Sequence, residues 1–131
     1  MNKTPQIELN LAQIEQNFAH CQAWEERYRQ LLLLAKQLQA MPEQYKQPQS
    51  LVQGCESEVW LHQDAQQLYL DSNARIIKGL IVIVLACYQA QPQHPQRLFE
   101  QTLDSLGLAH HLSESRNNGI RAIWQEIEQL G

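Results

Sequence analysis

The segment Val52-Gln53-Gly54-Cys55-Glu56-Ser57-Glu58-Val59-Trp60 sets one cysteine directly after a glycine, between two short apolar runs that read as strands. Glycine accepts positive φ without steric cost, so Gly54 can turn the chain sharply and present Cys55 on a loop shaped by Gln53, Glu56 and Ser57. A thiol so placed can serve as a nucleophile, since the thiolate is the attacking species. No second cysteine lies close by in sequence. That argues against a zinc knuckle or a CxxC redox pair and for a single working thiol. The competing reading is a small buried hydrophobe, the usual state of a free cysteine. Glu56 and Glu58 flank the thiol and no basic residue is adjacent to it in sequence. Nearby negative charge disfavours a thiolate, so Cys55 is expected to be quiet at rest.

The other chemistry-bearing residues give weaker signals. Cys21 and Cys87 sit in helical apolar patterns and read as packing residues. No pair of cysteines or histidines has zinc-like spacing, so no metal site is expected. His110 and His111 are adjacent and point in different directions, while His20, His62 and His94 carry no pattern. Arg116 falls in the first turn of a helix, where the macrodipole does not favour a cation. Either a functional surface or an internal salt bridge would explain it. Trp24, Tyr28, Trp60 and Trp124 read as core aromatics, and Lys78 as a side chain snorkelling out of an apolar helix. Walker, GxGxxG, nucleophile-elbow and metalloprotease motifs are missing.

The elements that must hold these residues follow from periodicity. Thr4-Pro5 reads as a helix start, and Ile7, Leu11, Ile14, Phe18 and Cys21 recur at helical spacing. Trp24, Tyr28, Leu31, Ala35 and Leu38 continue the period, as one bent helix or two in succession. Pro42 and Pro48 end it in a Gln-rich connector. Leu51-Val52, Val59 to His62 and Leu68 to Leu70 read as a small antiparallel sheet, with a turn over Asp64 to Gln67. Asp71 or Ser72 is the expected cap of a helix from Ala74 to Gln89, apolar nearly all round. Pro95 opens a further helix ended by Gly107, and Ser113 caps a last one whose face is Ile120, Ile123, Trp124, Ile127 and Leu130. The predicted class is α+β, a sheet of about three strands packed against about five helices.

The chain has 131 residues, 44% of them hydrophobic, which fits one domain over residues 1–131 with a modest core. Its formal net charge of −4 disfavours nonspecific nucleic-acid binding, which needs a basic face. The longest apolar run, Leu80 to Cys87, is too short to span a bilayer. The N-terminus lacks the basic start and apolar core of a signal peptide. Three widely spaced cysteines show no disulfide framework, so the reducing cytoplasm is the expected compartment.

At the Gly54-Cys55 segment the chain resembles the SufE/CsdE family of sulfur acceptors. Three further blocks resemble the family in its order: Trp24-Glu25-Glu26-Arg27-Tyr28, Asp71 through Leu80, and His111-Leu112-Ser113-Glu114-Ser115-Arg116-Asn117-Asn118-Gly119-Ile120. The resemblance implies a SufE/IscU-like fold and a carrier that is not an independent catalyst. Cys55 would take a persulfide sulfur from a SufS- or CsdA-like cysteine desulfurase, stimulate that enzyme, and relay the sulfur to iron–sulfur cluster assembly. The partner's site would activate the thiol. Pyridoxal phosphate would reside on the desulfurase, with no cofactor on this chain and no nucleic-acid or membrane partner. Asp71 and Arg116 are implied as partner-facing or supporting residues, and His111 as structural. A metal or iron–sulfur scaffold, or a CsdE-type relay to a tRNA-modification system, are the alternatives. The sequence departs from the family at Leu70, where relatives often carry glycine, and at Asn73, where an acidic residue is frequent. The Gln/Pro-rich stretch from Gln89 to Leu98 looks shortened.

Overall fold

The computed structural model describes residues 6–65 and 67–130. Helix α1 spans Leu11–Phe18 and α2 spans Trp24–Ala35, so the N-terminal periodicity belongs to two helices. The start of α1 is set by a capping box. The Asn10 side chain accepts from the Gln13 backbone N–H at 2.9 Å, and the Gln13 side chain accepts from the Asn10 N–H at 2.9 Å. Satisfying two helix-end donors reciprocally makes Asn10 a strong start. Ile7 is therefore buried ahead of the helix rather than within it. Thr4 and Pro5, the expected start, lie outside the described residues. In α2 the Glu26 carboxylate accepts from the Gln22 and Ala23 N–H groups at 3.0 and 3.1 Å, which holds its pKa below the ordinary carboxylate range.

The Gln-rich connector folds into two short 3-10 turns, Glu43–Tyr45 and Pro48–Ser50. Strands β1 (Val59–Asp64) and β2 (Gln67–Ser72) then pair antiparallel, from Val59 opposite Ser72 to Asp64 opposite Gln67. Pairing continues into the expected turn, Ala65 adopts φ 56°, and Gln66 lies outside the described residues. The expected third strand contracts to a single bridge, Leu51 opposite Trp60, because the chain turns away at Gly54. The other edge of β2 is closed by a side chain. Gln6 Oε1 accepts from the Leu70 N–H at 2.8 Å, and Gln6 Nε2 donates to the Leu70 carbonyl at 2.7 Å. A carboxamide thus satisfies backbone groups that a neighbouring strand would otherwise pair.

Helix α3 (Arg75–Ala90) follows β2. Neither Asp71 nor Ser72 caps it; Ala74 is the cap residue and offers no side-chain bond. The strand runs through Ser72, and Asp71 is committed elsewhere. Ser72 Oγ instead accepts from the Ala74 N–H at 3.1 Å and donates to the Glu58 carbonyl at 2.7 Å, which stiffens the junction. From Ile76 to Cys87 all of α3 is buried except Lys78. It packs against α1, α2, β2 and α4 (Pro95–Ser105). Burying each such Leu, Ile or Val contributes about 1.5–3 kcal/mol, so this helix carries much of the core. Its crossing with α2 is close: a Cβ on Gly79 would run into the Leu31 carbonyl. Pro95 opens α4 and Gly107, at φ 76°, follows its end. Helix α5 spans Glu114–Gln129, with Ser113 Oγ accepting from the Arg116 N–H at 3.2 Å. The class is α+β, with five α-helices and a two-stranded sheet among the described residues. None of those helices is long and apolar enough to cross a membrane.

Candidate functional site

Cys55 lies on an irregular loop between the Leu51 bridge and β1. The neck of the loop is closed where the Val52 N–H donates to the Val59 carbonyl at 2.8 Å. Its exit is pinned at Glu58. The Glu58 N–H donates to Asn73 Oδ1 at 3.2 Å, and the Glu58 carbonyl accepts from Ser72 Oγ and from the Asn73 N–H. Gly54 makes the turn at φ 93°, where a side chain would be strained. Gln53, Gly54 and Glu56 are exposed, while Ser57 and Cys55 are half-buried.

The loop rests on α5. A Cβ on Gly54 would touch the Ala122 Cβ at 3.6 Å. The Cys55 thiol donates a long hydrogen bond to the Gly119 carbonyl, with Sγ 3.7 Å from the oxygen. A cleft of about 530 Å³ opens beside the sulfur. Cys55, Arg75 of α3, Arg116 and Gly119 of α5, and Tyr28 and Leu32 of α2 border it. Burial pushes the Cys55 thiol above its ordinary pKa. The expected direction holds, but its cause is desolvation and not the flanking glutamates. Two arginines far away in sequence border the same cleft as the thiol.

Of the two roles open to Arg116, the internal salt bridge is not the one the described residues show. Its guanidinium lies 5.9 Å from the centre of the Tyr28 ring, a cation–π contact. No carboxylate of the described residues forms an ion pair with it. Its charge is therefore held at the cleft without an internal counter-ion. Asp71 is different. It is buried, at 2% exposure. Its carboxylate accepts from the Met41 N–H at 3.0 Å and the Ser72 N–H at 2.8 Å, and pairs with Lys46 Nζ at 3.3 Å. It supports the connector from within and presents no charge to the surface.

The remaining candidates pack. Cys87 is fully buried and its thiol is pushed up to about 11, chiefly by burial. Burial also raises Cys21, with Glu26 adding to the shift. His111 stacks on Trp24 at 4.8 Å and His62 on Tyr45 at 3.9 Å. Among the described residues no three His, Cys, Asp or Glu side chains converge as a metal would require. Sequence reasoning missed Arg75, Tyr28 and Gly119 as neighbours of the thiol. Only a glycine in the interior of a helix, at Gly119, offered a signal.

Residues 12–131 match the family model "SufE: Fe-S metabolism associated domain". The chain is 35% identical to the sulfur acceptor protein CsdE of Escherichia coli K12, over 87% of this chain and 82% of that protein. It is 32% identical to an uncharacterized SufE-like protein of Rhizobium etli, over 92% of this chain and 88% of that protein.

Proposed function

Since the chain belongs to the SufE family, we propose that it is a persulfide acceptor whose carrier atom is Cys55 Sγ. The donor is a pyridoxal-phosphate cysteine desulfurase that holds sulfur as a persulfide on its own cysteine. Cys55, once deprotonated, attacks the outer sulfur of that persulfide. The donor's S–S bond breaks, the donor cysteine leaves as a thiolate, and Cys55 becomes the persulfide. Such exchange depends on thiolate fraction and access, and relief of the donor's cysteine stimulates desulfurase turnover. No catalysis by this chain alone is required, and the pyridoxal phosphate belongs to the donor. Iron–sulfur cluster assembly in the reducing cytoplasm is the destination this reading favours.

The observation that supports it best is the seating of Cys55. A half-buried thiol, raised in pKa, sits on a loop whose ends are bonded and whose centre rests on α5 through one long sulfur hydrogen bond. That loop can swing outward while its anchors stay in place. Burial keeps the free carrier unreactive, and a donor that draws the loop out restores the thiolate.

The test is transfer of labelled sulfur from a desulfurase fed with cysteine, comparing wild type with Cys55→Ser. Label should appear on wild type alone, with faster desulfurase turnover. Equal labelling of both proteins, or none on either across several desulfurases, would overturn the reading.

A further inference from the structure

Gly119 stands in the second turn of α5 and is buried. A glycine in a helix interior weakens the helix relative to alanine. At Gly79 a close backbone contact explains the glycine, but none exists at Gly119. A Cβ built there would meet one atom within 4 Å beyond its immediate neighbours and the helix backbone, Cys55 Sγ at 3.7 Å. That is an ordinary van der Waals separation. The resting thiol would tolerate alanine, yet the chain withholds the methyl. A local preference broken without benefit to the resting state points to another state that needs the space.

Resting on the reading that Cys55 carries sulfur, we infer that the space over Gly119 seats the outer sulfur of the Cys55 persulfide, with Gly119 as its positioning residue. An S–S bond is about 2.05 Å long. An outer sulfur turned toward Gly119 would therefore stand roughly 1.7 Å from an alanine methyl, given the 3.7 Å between Sγ and that Cβ position. No sulfur and carbon can approach so closely. Without the methyl, a sulfur tilted slightly off that line rests against the α5 backbone. The space opens on the cleft that Arg116 and Arg75 border. Arg116 precedes Gly119 by one helical turn and shares its face. A persulfide is more acidic than its parent thiol, so an anion forms more readily on it than on the Cys55 thiol. The guanidinium of Arg116, which forms no ion pair among the described residues, adds a positive charge to that cleft.

The experiment needs no desulfurase, so its failure is distinct from failure of the acceptor reading. Wild type and Gly119→Ala are prepared in a Cys21→Ala background. Cys55 is converted to its mixed disulfide with 5-thio-2-nitrobenzoate. Hydrosulfide then attacks the Cys55 sulfur, the nitrobenzoate thiolate leaves, and the Cys55 persulfide remains. Cyanide removes the outer sulfur as thiocyanate and releases the Cys55 thiolate. Gly119→Ala should lose its sulfur at least tenfold faster than wild type, or fail to retain it at all. The unloaded variant should alkylate within twofold of wild type and melt no lower. Equal cyanolysis rates overturn the inference. Should the variant not fold, wild-type persulfide is compared in buffer and in denaturing urea. Tenfold protection by the native state is expected, and equal rates overturn the inference.

Discussion

Desolvation governs the resting chemistry of Cys55. Its thiol is raised in pKa by burial alone, although Glu56 borders the same cleft. A thiolate loses hydration when buried, and the neutral form is favoured. The sign follows directly: with a raised pKa, less thiolate exists at neutral pH than on an ordinary cysteine. Alkylation of Cys55 should therefore rise with pH along a curve displaced upward from that of a free thiol. Because the displacement comes from burial, Glu56→Gln should move the midpoint little. A mutation that loosens the loop should move it toward the ordinary value. The measurement is the rate of iodoacetamide alkylation from neutral to alkaline pH. A midpoint below that of free cysteine, or a large downward move with Glu56→Gln alone, would show that charge and not burial sets the thiol. Cys87 is the control within the same chain, since it is sealed in α3 with a thiol near 11 and no loop to release it.

At the scale of elements, the connector between α2 and β1 is held at Met41 and Lys46 by one buried carboxylate. Asp71 reaches from β2 to the Met41 N–H and Lys46 while Lys46 lies 5.0 Å from the centre of the Trp60 ring. Asp71→Ala leaves a buried N–H without its acceptor and leaves Lys46 only the exposed Glu43 carboxylate at 3.7 Å, which should cost about 2–4 kcal/mol. Lys46→Met leaves the carboxylate two backbone donors and should cost less. Urea unfolding of both variants checks the order, and a smaller loss for Asp71→Ala would refute it. The same residue marks the limit of what the sequence made legible. Pro95, Gly107 and Ser113 declare helix ends through local chemistry, and the structure uses each one there. Asp71 and Ser72 carry an equally good local signal for a cap, but strand pairing to Trp60 and Val59 claims them first. The Asn10 capping box was present in the residues and was overshadowed by Thr4-Pro5. Gln6 acting as a strand substitute for β2 depends on contacts 64 residues apart, which no local pattern encodes. Within the site, Cys55 and its glycine turn were legible because their chemistry is local. Arg75, Tyr28 and Gly119 were not, because only folding brings three helices to one loop.

Over the whole molecule the two sulfur environments should open by different routes. Cys87 lies in the helix that α1, α2, α4 and β2 surround, so reagent reaches it only when the core comes apart. Cys55 is held across 64 residues by a sulfur hydrogen bond of 3.7 Å, and the loop around it buries little. Local openings that expose little surface are nearly independent of denaturant, whereas global unfolding carries the full dependence on surface exposed. Alkylation measured below the unfolding transition should therefore separate the thiols. The Cys55 rate should stay almost flat as urea is added. The Cys87 rate should climb with the slope of global unfolding and extrapolate to the stability of the protein. The distinction bears on function. A donor can draw out Cys55 at modest cost only if the loop opens while α3 and α5 remain folded. If the Cys55 rate instead follows the same urea dependence as Cys87, the loop and the core form one cooperative unit. Sulfur transfer would then require the donor to offset most of the free energy of unfolding, which would weaken its apparent affinity for this chain by the same amount.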